Sequence, residues 1–164
     1  MTDSGFDRIV RAHGEALSRV AWGYVRDSAD HEDLMQDILI AIWRALPRFR
    51  GDATERTFVF RIAHNRGCTF VARARPHDPL FADDPIADQR PTPEEQLDAA
   101  SERERLLAAI RQLPAPLRQA VLLRLEGFTL AEIAALQDTT ENNAGVRLTR
   151  ARARLRALLG DEDK

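Results

Sequence analysis

The chain lacks a second cysteine, and that absence excludes an internal disulfide and any cysteine-built zinc site. Cys68 stands alone and is expected to be an inert, buried or half-buried thiol in a reducing compartment. The histidines, His13, His31, His64 and His77, are scattered without metal-ligand spacing. No metal and no cofactor is therefore expected. No apolar run approaches the roughly 20 residues of a membrane span, and the N-terminus has no signal-peptide core. A cytoplasmic protein, not itself membrane-inserted, is the expectation. Glycine-rich phosphate loops and nucleophile constellations are also missing, which argues against an enzyme and against a small-molecule substrate. Strand signals are nearly absent: there is no sustained alternation, no Asn-Gly or Asp-Gly pair, and few β-branched residues.

A strong excess of either charge is lacking too, the net charge being −2. The charges that are present are segregated. From Arg56 to His77 there are five arginines and no acid, and from Asn142 to Gly160 again five and none. Between them, Asp78 to Glu104 holds nine acids against Arg90 and Arg103. Two basic tracts on either side of an acidic spacer suggest two contact points on a polyanion.

Helical spacing fills most of the chain, so the fold class is all-α. A first helix is predicted over about Asp7–Val25, with Ile9, Leu17, Val20, Ala21 and Tyr24 for its core face. A second runs from Ser28 to about Leu46-Pro47, with Met35, Ile38, Leu39, Ile42, Trp43 and Leu46 as a wide buried stripe. Arg50-Gly51-Asp52 is a turn, and a third helix spans about Thr54–Arg73, burying Val59, Ile62, Ala63 and Phe70. Pro76, Pro79, Pro85, Pro91 and Pro93 then punctuate an acidic stretch, and 76–93 is expected to be a flexible linker. Helical signal resumes near Pro93 and runs to Leu113; Pro114 and Pro116 separate it from a helix over Ala115–Glu126, closed by Gly127. Two small helical domains, 5–75 and 94–160, on a flexible tether follow. Each is near the lower size limit for independent stability.

The most informative stretch is TLAEIAALQDTTENNAGVRLTRARARLR, Thr129 to Arg156. Thr129 with Glu132 makes a capping box, and Ile133, Ala134 and Leu136 suit a short buried helix. Asp138-Thr139-Thr140 is turn and N-cap chemistry. The following helix puts Thr140, Asn142 and Asn143 at its N-terminus, where a major-groove reader carries base-contacting side chains, with Arg147, Arg150, Arg152, Arg154 and Arg156 behind them at phosphate-binding positions. A DNA-reading helix-turn-helix and a solvated basic face both fit this segment.

Two further surfaces stand out. On the second helix Asp33, Gln36, Asp37, Ile40 and Arg44 share one side, and an isoleucine among polar groups suits either a protein interface or ordinary surface. On the third, Arg56, Arg61, His64, Asn65 and Arg66 are interleaved with Phe58 and Phe60. Arginines with aromatics suit single-stranded nucleic acid; the rival assignment puts both rings in the core, especially Phe58.

SADHEDLMQDILIAIWRALPRFRG followed by RTFVFRIAHNR resembles domain 2 of bacterial sigma-70-family initiation factors, in their short extracytoplasmic-function (ECF) form. LPAPLRQAVLLRLEGFTLAEIA, continuing into TTENNAGVRLTRARARL, resembles domain 4 of the same family. The two matches cover most of residues 15–158 in the family's order. The resemblance implies a sigma domain 2 bundle of three to four helices, a sigma domain 4 helix-turn-helix, and a promoter-specificity subunit of core RNA polymerase. It implies that Asp33, Leu34, Gln36, Asp37 and Ile40 dock on the polymerase. Arg56, Arg61, Asn65 and Arg66 would contact the −10 promoter element, and Thr140, Asn142, Asn143, Arg147, Arg150 and Arg152 the −35 element. Core RNA polymerase, promoter DNA and an anti-sigma factor are the implied partners.

Several residues depart from the family's pattern. Asp138 stands where glycine is usual, Gln137 and Thr139 where aliphatics are usual, and phenylalanine at 58 where tryptophan is frequent. The two polar replacements are expected to weaken packing of the reading helix, and Ala144 and Gly145 to soften it. Two other functions fit the residues: a stand-alone helix-turn-helix regulator of duplex DNA, and a sigma-like decoy that sequesters a partner. The first predicts dimerisation, for which no seam is visible.

Overall fold

The computed structural model describes residues 2–74 and 101–160, and all regular elements among them are helical. The linker expected at 76–93 and the helix start expected near Pro93 lie outside the described residues. The chain divides into two compact units, Met1–Asp78 and Pro79–Lys164.

In the first unit α1 spans Thr2–Trp22, α2 Ser28–Ala45 and α3 Glu55–Ala74, with a short 3-10 turn at Leu46–Arg48 after α2. Local chemistry sets these bounds. The Asp27 carboxylate accepts from the Asp30 N–H at 2.8 Å, and Thr54 Oγ1 accepts from the Thr57 N–H at 3.1 Å. Gly51, at φ 81, makes the turn expected there. Glu55, in the first turn of α3, receives both ends of the Arg8 guanidinium at 3.0 and 2.6 Å. That hydrogen bonding holds the Glu55 carboxyl below its usual range and ties α1 to α3.

The three helices pack on one another around Ile9, Leu17, Val20, Ala21, Leu34, Ile38, Ile42, Val59, Phe60 and Ala63. The phase of α2 corrects the expected stripe. Leu34, Ile38 and Ile42 face the core; Met35 and Leu39 are half-buried, and Trp43 is 50% exposed. With apolar residues around most of its circumference, α2 satisfies two helical phases, and only its packing partners choose one. Phe60 is a core residue, whereas Phe58 is half-buried against Phe49, ring centroids 4.5 Å apart. The sequence had favoured the core for Phe58.

Tyr24, Val25 and His64 close this core. Tyr24 bonds its hydroxyl to His64 Nδ1 at 2.6 Å, and Cys68, half-buried, places Sγ 3.9 Å from the same oxygen. Burial lowers the His64 pKa from 6.5 to about 3, so the folded unit keeps the ring neutral. Below pH 6.5 the unfolded chain binds a proton that the folded one refuses. Stability should therefore fall with pH by about 1.4 kcal/mol per unit until the folded pKa is reached. We expect a loss of about 2 kcal/mol between pH 7 and pH 5. Both tryptophans, Trp22 and Trp43, lie in this unit, so urea unfolding followed by tryptophan fluorescence measures it selectively. His64→Gln should flatten the slope; an unchanged slope would show that His64 does not carry it.

In the second unit α4 spans Glu102–Arg111, α5 Ala115–Leu125, α6 Leu130–Leu136 and α7 Glu141–Leu159. Ser101 caps α4 by accepting from the Glu104 N–H at 3.2 Å. Pro114 is the N-cap of α5, and Gly127, at φ 86, follows that helix as expected. Arg118 is buried, and its Nη2 donates to the Arg111 and Leu113 carbonyls at 2.7 and 3.1 Å, capping the end of α4 with a cation. The core gathers Ile110, Leu113, Leu123, Phe128, Ile133, Ala144, Leu148 and Ala151. Ala144 is fully enclosed, so its small side chain fits a tight approach of α7 to the rest of the unit.

Candidate functional site

The helix-turn-helix forms as its residues dictate. Thr129 Oγ1 accepts from the Glu132 N–H while Glu132 Oε1 accepts from the Thr129 N–H, both at 3.2 Å, completing the capping box on α6. Asp138 takes φ 50, the left-handed geometry that the turn needs and aspartate tolerates. Thr140 caps α7 by accepting from the Asn143 N–H at 3.1 Å. Of the residues expected to read DNA, Asn142 and Arg150 stand exposed away from Ala144, Leu148 and Ala151, and Asn143 is exposed on a flank of α7. Thr140 and Arg152 are exposed at the start and on a flank, and Arg154 is half-buried with Nη1 enclosed.

The polar departures in the turn find partners within the unit. Gln137 donates from Nε2 to the Pro116 carbonyl at 2.9 Å and to Gln119 Oε1 at 3.2 Å. Its Oε1 accepts from Arg147 Nη1 at 3.0 Å. One amide thus links α5, the end of α6 and α7. Thr139 Oγ1 accepts from Asn143 Nδ2 at 3.1 Å, which orients that side chain. Gln137 and Thr139 are thus hydrogen-bonded rather than left unsatisfied, and their bonds hold Arg147 and Asn143. Replacing Gln137 by leucine removes the acceptor of Arg147. We expect about 1–2 kcal/mol less stability in the second unit, seen as an earlier far-UV dichroism transition with tryptophan fluorescence unmoved.

On α3 the four expected nucleic-acid contacts do not form one set. Arg61 and Asn65, one turn apart, are both exposed, and half-buried Phe58 and Ile62 share their side of the helix. Arg56 instead lies over the Phe60 ring at 5.9 Å. Arg66 points to α2, where it grips the Asp37 carboxylate by three contacts of 2.7 to 2.9 Å. Asp37 and Arg66 were assigned to different partners and are bound to each other. The geometry is bidentate and partly shielded, which places the pair among the stronger surface links.

On α2, Asp33, Gln36 and Ile40 are exposed along one stripe, with Ile40 at 44%. Leu34 is a correction: it is fully buried in the core and presents no side chain to a partner. Trp43, one turn beyond Ile40, takes its place on the exposed face. Its spacing from Gln36 and Ile40 (i+7 and i+3) was the available signal.

Comparison with known proteins places both units. The family models for sigma-70 region 2 and sigma-70 region 4 match residues 9–76 and 103–155. The ECF RNA polymerase sigma factor SigM of Mycobacterium tuberculosis is 32% identical over 158 residues, covering 94% of this chain and 77% of that protein. CnrH, an RNA polymerase sigma factor of Cupriavidus metallidurans, is 30% identical over 170 residues, covering 97% and 89%. The structure of CnrH in complex with the cytosolic domain of CnrY superposes with TM-score 0.72 at 25% identity, over 98% of this chain and 91% of that one. The fold of sigma factor RpoE, solved with the anti-sigma factor NepR from Bartonella quintana, matches at TM-score 0.71 and 22% identity, over 98% and 99%. With region 2 and region 4 both present in order, and relatives that cover the chain nearly end to end, this protein belongs to the ECF-type sigma-70 family of RNA polymerase sigma factors.

Proposed function

We propose that the two units divide promoter recognition, the first (residues 5–75) serving polymerase docking and the −10 element and the second (94–160) the −35 element, with 76–93 connecting them. As a sigma factor the chain binds core RNA polymerase and directs transcription initiation at promoters. Asp33, Gln36, Ile40 and Trp43 form the docking stripe on α2. Arg61 and Asn65, beside Phe58, receive the opened −10 strand: the arginine meets phosphate, and the apolar surround accepts an unstacked base. Asn142, Asn143, Arg147 and Arg150 read the −35 duplex, while Arg152 meets phosphate.

The observation that carries this reading is the sidedness of α7. Its inner face is small and apolar, and its outer face holds amides and arginines at the mouth of a capped helix-turn-helix. Bond making is left to the polymerase, and the protein acts where the polymerase is, in the cytoplasm. Among the described residues no helix is long and apolar enough to cross a membrane. The complexes of CnrH with CnrY and of RpoE with NepR support an anti-sigma partner for this chain as well. In vitro transcription with core polymerase and a genomic DNA library tests the whole. Start sites preceded by two shared sequence elements are expected; a chain that neither co-elutes with core polymerase nor redirects initiation would refute it.

A further inference from the structure

We infer that Val146 is a specificity-determining residue that packs on the C5-methyl group of a thymine in the −35 duplex. The inference rests on the second unit being a duplex reader and adds an apolar term to a face that is otherwise mostly polar. Val146 is 38% exposed, one of few large apolar side chains left open to solvent among the described residues. It sits in the middle of the outer face of α7, one turn from Asn142 on one side and from Thr149 and Arg150 on the other. These residues border one shallow groove, together with Leu130, Gly145 and the carboxylate of Glu141 at the first turn of the helix. Ala144, Leu148 and Ala151 supply the inner face, and Val146 lies outside the buried core.

Its surroundings select the ligand. The face around Val146 carries Arg150 and two amides, and Gly145 beside it has no side chain to hold a duplex away. In the major groove the one apolar group that a base edge offers is the thymine methyl. A β-branched side chain on a helix is held in one rotamer, so its methyls form a preset surface. Asn142 and Arg150, a turn away on either side, have the chemistry to take adenine and guanine edges. The residue is thus flanked by groups that set the register in which a methyl would meet it.

The test uses holoenzyme assembled from core polymerase and the full chain, on a promoter recovered by in vitro transcription from genomic DNA. Each thymine of the −35 region, on both strands, is replaced singly by uracil, which removes only the methyl. One position is expected at which uracil weakens promoter binding about fourfold, the value of burying one methyl group. Val146→Ala should weaken binding to the thymine promoter similarly and be indifferent to uracil there, while Val146→Ile keeps the discrimination. A promoter region with no methyl effect, or an effect undiminished in Val146→Ala, overturns the assignment. Asn142→Ala and Arg150→Ala separate the two levels: if they weaken binding and Val146→Ala does not, only the methyl contact fails. If none of the three matters, this face of α7 does not read duplex.

Discussion

Replacing Ile40 and Trp43 together by aspartate should abolish holoenzyme formation while leaving the protein folded. Both side chains stand out from α2 next to Gln36, and neither belongs to the stripe of Leu34, Ile38 and Ile42 that holds the helix down. Interfaces concentrate their energy in a few buried anchors, tryptophan foremost, each costing about 2–4 kcal/mol when lost. Burying two carboxylates where an indole and an isoleucine should sit adds desolvation to that loss. A fall in affinity for core polymerase of more than about a hundredfold is expected, read by co-elution and by loss of promoter-directed transcripts. Far-UV dichroism should be unchanged. Leu34→Asp is the informative contrast, because Leu34 is fully buried and its replacement should unfold the first unit. If the Ile40 and Trp43 double variant still forms a stoichiometric complex, α2 is not the docking surface.

The second large effect comes from adding one carbon at Gly67. A Cβ there would lie 2.7 Å from two atoms of the Tyr24 ring and 2.9 Å from a third, closer than such contacts occur. The ring has nowhere to retreat, since it is buried and its hydroxyl is bonded to His64 Nδ1. In an open helix alanine is favoured over glycine by about 1 kcal/mol. Here overpacking reverses the sign, and Gly67→Ala should cost about 1–3 kcal/mol. In a unit of this size that is roughly 10 °C of melting temperature, read by tryptophan fluorescence. Tyr24→Leu in the same chain should recover part of the loss, because the two sites share one contact. Gly145 is the control with the opposite sign. A Cβ there meets only Leu130 Cδ2, at 3.9 Å, so Gly145→Ala should stabilise the second unit by about 1 kcal/mol. Equal effects of the two alanines would mean that the Tyr24 contact does not govern Gly67.

The helical class, the turn at Gly51, the Gly127 stop and the capping box at Thr129 were all legible in the chain, because each depends on residues within one or two turns of one another. The resemblance to sigma domains 2 and 4 rested on the same local runs, and the family matches and relatives bear it out. The phase of α2 was not legible. Met35, Ile38, Leu39, Ile42 and Trp43 fit one stripe as well as Leu34, Ile38 and Ile42 fit another, and only α1 and α3 decide which is buried. The pairing of Asp37 with Arg66, the enclosure of Phe60, and the bonds that Gln137 makes to Pro116, Gln119 and Arg147 also join residues far apart in sequence. The order of residues along the chain by itself determined that helices would form and that two basic tracts would flank an acidic one. Which side of each helix faces water, and which polar groups are spent on the protein before any DNA arrives, was decided by tertiary packing. A helix offers several faces at equal local cost, and only its neighbours distinguish them.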